Sequence, residues 1–200
     1  MIVAGSFFSV VISDATNNAY ASTFGGSLQR RKSQWIIKYE FNTQQPELVG
    51  TSQTWQVEGK GKTLNIKAGA TNEAYTLLDD GKPGLLAGAW LITGRETESG
   101  FQQMTPGARR TMKILSGTRF QWIAYNVDTK EFFGTGAGSY TSVDGKYTEN
   151  IDVFSRDNSR VGSTLQFDFK LENGKWRHQG KSSKGEPLNE VWTKREQLGL

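Results

Sequence analysis

Apolar side chains recur at alternate positions through most of the chain. Trp35, Ile37, Tyr39 and Phe41 are separated by single residues, as are Phe8, Val10 and Ile12, Trp55 and Val57, and Phe120, Trp122 and Ala124. A period of two puts each set on one face of a β-strand. The pattern predicts strands near 2–13, 19–29, 34–42, 51–58, 62–67 and 73–78, then near 87–95, 112–116, 119–126, 131–141, 146–155, 163–171, 175–180 and 189–194. Turn residues separate them: Asn17-Asn18, Val143-Asp144-Gly145, Asp157-Asn158 and Glu172-Asn173-Gly174, whose Asn, Asp and Gly tolerate positive φ. Thr105-Pro106 reads as a helix start, so a short helix or irregular loop is expected over 100–110. Short strands at hairpin spacing form a meander, and a meander of this length hides its edges by closing into a barrel. The expected fold is therefore all-β, an antiparallel meander closing into one or two barrels.

The chain also matches itself at a spacing of 112 positions. Gly5 meets Gly117, Phe8 meets Phe120, Thr23 meets Thr135, Gly26-Ser27 meets Gly138-Ser139, and Val49-Gly50 meets Val161-Gly162. The inward parity is kept as well: Trp35 to Phe41 fall on Tyr147, Glu149, Ile151 and Val153, and Trp55 and Val57 fall on Phe167 and Phe169. One added residue then sets Gly61-Lys62 against Gly174-Lys175, and after a longer loop Asn72 to Thr76 match Asn189 to Thr193. The reading is a tandem duplication, with units at 1–83 and 84–200. The copies are unequal. The stretch from Gly84 through Thr111, roughly 28 residues with an opening strand, has no counterpart in the first copy. Either the gene starts upstream of Met1 or that strand was deleted. The sheet edge so exposed is the expected contact of a homodimer.

Composition narrows the function. The chain has 23 Gly, 4 Pro and 12% aromatics, which suits an all-β protein. A net charge of +4 is mild, and only Arg30-Arg31-Lys32 and Arg109-Arg110 are compact basic runs, so nucleic acid is not an expected partner. There is no cysteine and one histidine, which excludes disulfides, thiolate metal sites and multi-His sites. No cofactor is expected. No apolar run approaches the ~20 residues of a membrane-spanning helix. The apolar start, Met1 to Ile12, lacks a signal peptide's positive flank and reads as a strand.

The second unit opens with Leu86-Ala87-Gly88-Ala89-Trp90 and closes with Glu190-Val191-Trp192-Thr193-Lys194-Arg195. A Gly-x-Trp on the first strand and a basic residue on the last resemble the lipocalin and calycin pattern. In such barrels the Trp plugs the closed end and a cation stacks on it. Gly138-Ser139-Tyr140, Asp144-Gly145-Lys146-Tyr147-Thr148-Glu149 and Phe154-Ser155 are similar to an uncharacterised bacterial lipocalin-like family, often labelled membrane or secreted proteins. The resemblance covers about 84–195 and reaches the first unit only through the repeat. It implies a barrel and a secreted, periplasmic or cell-surface location, but no ligand.

Candidate chemistry is sparse. His178 is expected at the surface or the rim. Gly134-Thr135-Gly136-Ala137-Gly138 lies in a strand with no helix after it, so it reads as a bend or bulge rather than a phosphate cradle. Glu149 sits on the apolar parity of its strand, where the first copy has Ile37. A carboxylate there is either a polar anchor for a ligand or half of a buried ion pair. Glu190 and Trp192 share a parity on the last strand. The expected ligand-lining set is Phe120, Trp122, Tyr147, Glu149, Phe167, Phe169, Glu190 and Trp192, with no catalytic or metal residues. The leading reading is a non-enzymatic lipocalin-like protein that binds a small, partly apolar ligand inside a barrel. The alternative is a structural or cell-surface interaction module for protein or glycan, for which tryptophans such as Trp176 should cluster on an outer face. An enzyme using Glu149 and Glu190 as acid and base stands third.

Overall fold

The computed structural model describes residues 1–79, 84–182 and 184–200. The alternating segments form seven strands in the first half: β1 (Ile2–Ala4), β2 (Phe7–Ser13), β3 (Tyr20–Arg31), β4 (Gln34–Asn42), β5 (Ser52–Lys60), β6 (Thr63–Ala68) and β7 (Thr71–Thr76). The second half holds β8 (Gly88–Thr97), β9 (Gly100–Gln103), β10 (Arg109–Leu115), β11 (Arg119–Asn126), β12 (Phe132–Val143), β13 (Lys146–Phe154), β14 (Thr164–Glu172), β15 (Lys175–Lys181), β16 (Pro187–Lys194) and a terminal turn of helix, α1 (Arg195–Leu198). Every pairing is antiparallel. Strands β10 to β16 follow in order, and β8 pairs with both β16 and β10, closing an eight-stranded barrel. Strands β1 to β7 form a second sheet that curls but does not close. The domain boundary expected at 83 lies outside the described residues.

Three expectations are corrected. The single strand expected over 2–13 is a hairpin: Gly5 adopts φ +58°, the chain reverses, and Ala4 pairs with Phe7. The segment expected to be helix or loop over 100–110 instead begins with β9, which pairs Gly94 with Gln103 on the end of β8. Unpaired backbone at a sheet edge favours such a strand over a short isolated helix. The added residue placed near Gly61 is also displaced. Gly59 pairs with Leu64 as Leu171 pairs with Trp176, and Val57 with Ile66 as Phe169 with His178, so the 112 spacing runs on through β6 and β15. The extra residues all enter in the β15–β16 hairpin, after which Glu73 and Tyr75 stand where Glu190 and Trp192 do.

The two sheets repeat fine detail at this spacing. Thr23 Oγ1 donates to Val10 O at 2.6 Å, and Thr135 Oγ1 to Trp122 O at 2.6 Å. The register breaks between Gly25 and Gly26 and again between Ala137 and Gly138. That break is the bulge expected from the glycine run. A Cβ on Gly138 would lie 1.9 Å from the Asn150 carbonyl oxygen, so only glycine lets β12 and β13 approach.

Residues on the outer faces join the halves. Ile2, Ala4, Phe7 and Phe41 pack with Ala89, Leu91, Met112, Ile114, Ile123 and Tyr125. Several contacts are between equivalent positions. Tyr20 stacks on Phe132 at 5.9 Å between ring centroids. Ser9 Oγ donates to Gln121 Oε1, and Gln121 Nε2 donates to both Thr23 Oγ1 (2.8 Å) and Thr135 Oγ1 (3.0 Å). Equivalent residues meeting across one contact are the signature of a two-fold interface, here within one chain. Away from this axis, Arg195 donates twice to Glu40, at 2.8 and 3.1 Å, while Arg110 and Tyr125 donate to the same carboxylate.

Candidate functional site

Two regions carry concentrated chemistry, the interior of the closed barrel and a cleft in the half-barrel. In the barrel, the inward parity of β10, β11, β13, β14, β15 and β16 gathers Leu115, Phe120, Tyr147, Ile151, Phe167, Trp176 and Trp192, with Trp122 and Phe169 packed against them. All eight residues expected to line a ligand site thus face this interior, and the rings largely fill it. A β-barrel of about eight strands is either filled by its own side chains or holds one small ligand, and here aromatic rings converge on the interior.

The charged members are paired, whereas the Tyr147 hydroxyl, both ring nitrogens of His178 and the indole nitrogens of Trp176 and Trp192 are buried without a hydrogen-bond partner. Lys113 Nζ lies 2.7 Å from Glu149 Oε1, with both side chains buried. The ammonium is also caged by Tyr147 (4.8 Å to the ring centroid), Trp176 (5.1 Å), Trp192 (5.5 Å) and Phe167 (5.6 Å). Ring faces and a carboxylate together replace the water lost on burial. Glu190 accepts from Arg95 at 2.8 Å and faces His178 Nδ1 at 3.6 Å. Burial pushes the Glu190 carboxyl up, but His178, Lys113 and Arg95 outweigh it and hold it below the usual carboxylate range. Burial, with Lys113 close by, lowers His178 to about 4, so the ring is neutral at pH 7. Burial and then Glu149 raise the Tyr147 phenol. Glu149 and Glu190 are each paired with a cation.

His178 is therefore not at the surface or rim. It is 1% exposed, against Phe167, Tyr147 and Trp176, because Trp176 and His178 share the inward parity of β15. Trp176 is 0% exposed, and none of the six tryptophans is exposed, which removes the outer aromatic face on which the interaction-module reading leaned. Lys113 was not anticipated. Its signal is a cation between Met112 and Ile114, on the parity of Leu115.

The half-barrel differs at each of these positions. Met1 stands for Lys113, Ile37 for Glu149, Ile66 for His178, Trp35 for Tyr147, Leu64 for Trp176 and Tyr75 for Trp192. Its concave face is apolar, with Phe8, Val10, Leu28, Ile37, Tyr39, Trp55 and Ile66 at the bottom. Above them Met1, Val3, Trp35, Leu64 and Tyr75 line a cleft of about 780 Å³. The cleft runs from β1 to β7 and onto the barrel, where Ser116, Gly117, Arg119 and Lys194 form its far wall. Leu77 and Leu78, at its mouth, are 49% and 73% exposed. Arg30, Lys62, Arg119 and Lys194 outnumber Asp79 and Glu196 among the charged lining residues. Sequence alternation marked several of these residues as inward, but only the unclosed sheet makes them accessible.

No helix among the described residues is long and apolar enough to cross a membrane. No protein-family model matches the chain, and no curated protein matches it either.

Proposed function

We propose that this protein is a non-catalytic, lipocalin-like binding protein whose ligand site is the cleft of the half-barrel, with the closed barrel serving as its scaffold. The observation that carries this reading is the contrast between equivalent interiors. One holds rings and paired charges; the other has apolar residues in place of those charges and opens to solvent. A concave, mainly apolar site with a few polar groups at its rim suits a partly apolar ligand. The unequal duplication of one β unit explains the contrast, since β8 closes the second unit and has no counterpart among the described residues of the first. Membership of the lipocalin-like family, and export with it, belong to the same proposal. The family reading is supported by Trp90, which Lys194 covers at 5.3 Å from the ring centroid, in the manner the family resemblance implies.

The test uses anilinonaphthalene sulfonate, an apolar dye with an anionic group. It should bind the folded protein saturably with enhanced emission, and Leu64→Lys should abolish the enhancement without changing the unfolding midpoint by much. Val143→Ser, a change at an exposed site outside the cleft, should leave binding as it was. Dye binding that survives Leu64→Lys contradicts the assignment.

A further inference from the structure

The cleft occupies the place where a strand belongs. In the closed barrel, Leu115, Ile114 and Lys113 of β10 pair with Gly88, Ala89 and Trp90, while Lys194, Thr193, Trp192 and Glu190 of β16 pair with Trp90, Leu91, Ile92 and Arg95. The equivalent residues of the half-barrel are Val3 and Ile2 of β1 with Met1 before it, and Leu77, Thr76, Tyr75 and Glu73 at β7 and its end. Among the described residues neither edge has a further strand neighbour, so the outward-facing backbone groups of β1 and β7 can build a ladder.

The outer side of the gap repeats the relation too. Ala89 and Leu91 of β8 belong to the same apolar cluster as Ala4 and Phe7 of the first unit. The residues 112 positions after Ala4 and Phe7 are Ser116 and Arg119, and both line the cleft. A strand placed there would rest on the barrel as β8 rests on the half-barrel.

Resting on the binding reading above, we propose that the ligand is an extended polypeptide segment that adds as a strand between β1 and β7 and completes the half-barrel. Its chemistry follows from the side chains that await it. Where Trp90 lies between Lys113 and Lys194, the incoming residue meets Met1 and Leu77, so it is large and apolar. Where Ile92 meets Trp192, it meets Tyr75 and is again apolar. Where Arg95 meets Glu190 at 2.8 Å, it meets Glu73 and is basic. Glu73 already has a fixed orientation, accepting from the Tyr75 hydroxyl at 2.6 Å. Backbone pairing supplies affinity and the alternate side chains supply register.

The experiment is a titration of the intact chain with a labelled peptide, Leu-Ala-Gly-Ala-Trp-Leu-Ile-Thr-Gly-Arg-Glu-Thr, which copies residues 86–97. Saturable binding is expected, with amide exchange slowed over 1–5 and 71–77. Glu73→Lys should weaken binding about tenfold, and changing the peptide's arginine to glutamate should restore it. That exchange of charges is not produced by a merely structural role of Glu73. Absence of peptide binding, or binding indifferent to the charge swap, overturns the inference, as does a chain already dimeric through β1 and β7 that excludes the peptide. If the dye binds at Leu64 but the peptide does not, the cleft remains the site and the strand is refuted. If neither binds, both readings fall.

Discussion

Lys113 and Glu149 meet at 2.7 Å inside the closed barrel, and the positions equivalent to them in the half-barrel are Met1 and Ile37. One fold position thus carries an ion pair in one unit and two apolar side chains in the other. The pair and its ring cage occupy the interior of the closed barrel. Their apolar counterparts leave a greasy concavity that still has an entrance.

Removing one member of this pair should be costly. Lys113→Met leaves a buried carboxylate without its cation and should destabilise by about 3–5 kcal/mol in denaturant unfolding. Lys113→Met with Glu149→Ile, the pair the half-barrel itself uses, should recover most of that loss. A double variant as unstable as the single one would show that the rings need the charge.

Acid should weaken the fold in two stages. His178 has its folded pKa lowered to about 4 by burial and Lys113, against 6.5 unfolded. As pH falls through this window the unfolded chain takes up a proton that the folded chain refuses. Stability is therefore complete above pH 6.5 and should drop by roughly 2 kcal/mol by pH 5. Glu40 and Glu190 have lowered folded pKa values, so their contributions persist above the ordinary carboxylate range and are lost only at lower pH. His178→Ile, borrowing the residue at the Ile66 position, should flatten the profile between pH 7 and 5. Unfolding midpoints across pH for the two proteins check this, and identical slopes would contradict it.

The two halves should unfold together. Arg195 is 1% exposed, holds Glu40 through two hydrogen bonds and lies 3.9 Å over the Phe7 ring. Arg195→Ala should cost about 2–4 kcal/mol and separate the single transition into two, with the half-barrel melting first. A double-mutant cycle with Glu40→Gln measures the pair; additive effects would remove Arg195 from this role.

Much of the fold was legible because period-two alternation and turn chemistry are local signals. The β3, β4 and β5 equivalents fall at the same spacing as the sequence match, and Glu149 stood out as a charge on an apolar parity. Closure of the meander into a barrel was expected and is found, but whether one unit or both would close was not legible. That depends on curvature accumulated over many strands, which no short window records. His178 was misplaced because a lone histidine between Arg177 and Gln179 reads as solvated until the ladder assigns it the parity of Trp176. The cleft was missed because Leu64, Tyr75 and Leu77 look like core or edge residues until the strand between β1 and β7 is seen to be absent from the described sheet.

The most direct test of the half-barrel as the binding site is a map of backbone amide chemical shifts while anilinonaphthalene sulfonate is added. The account predicts saturable changes confined to Met1–Gly5, Leu64, Tyr75 to Asp79 and the facing residues Ser116 to Arg119, with β13, β14 and β15 undisturbed. Changes centred on Tyr147, Phe167 and Trp176 would instead put the ligand inside the closed barrel and contradict it.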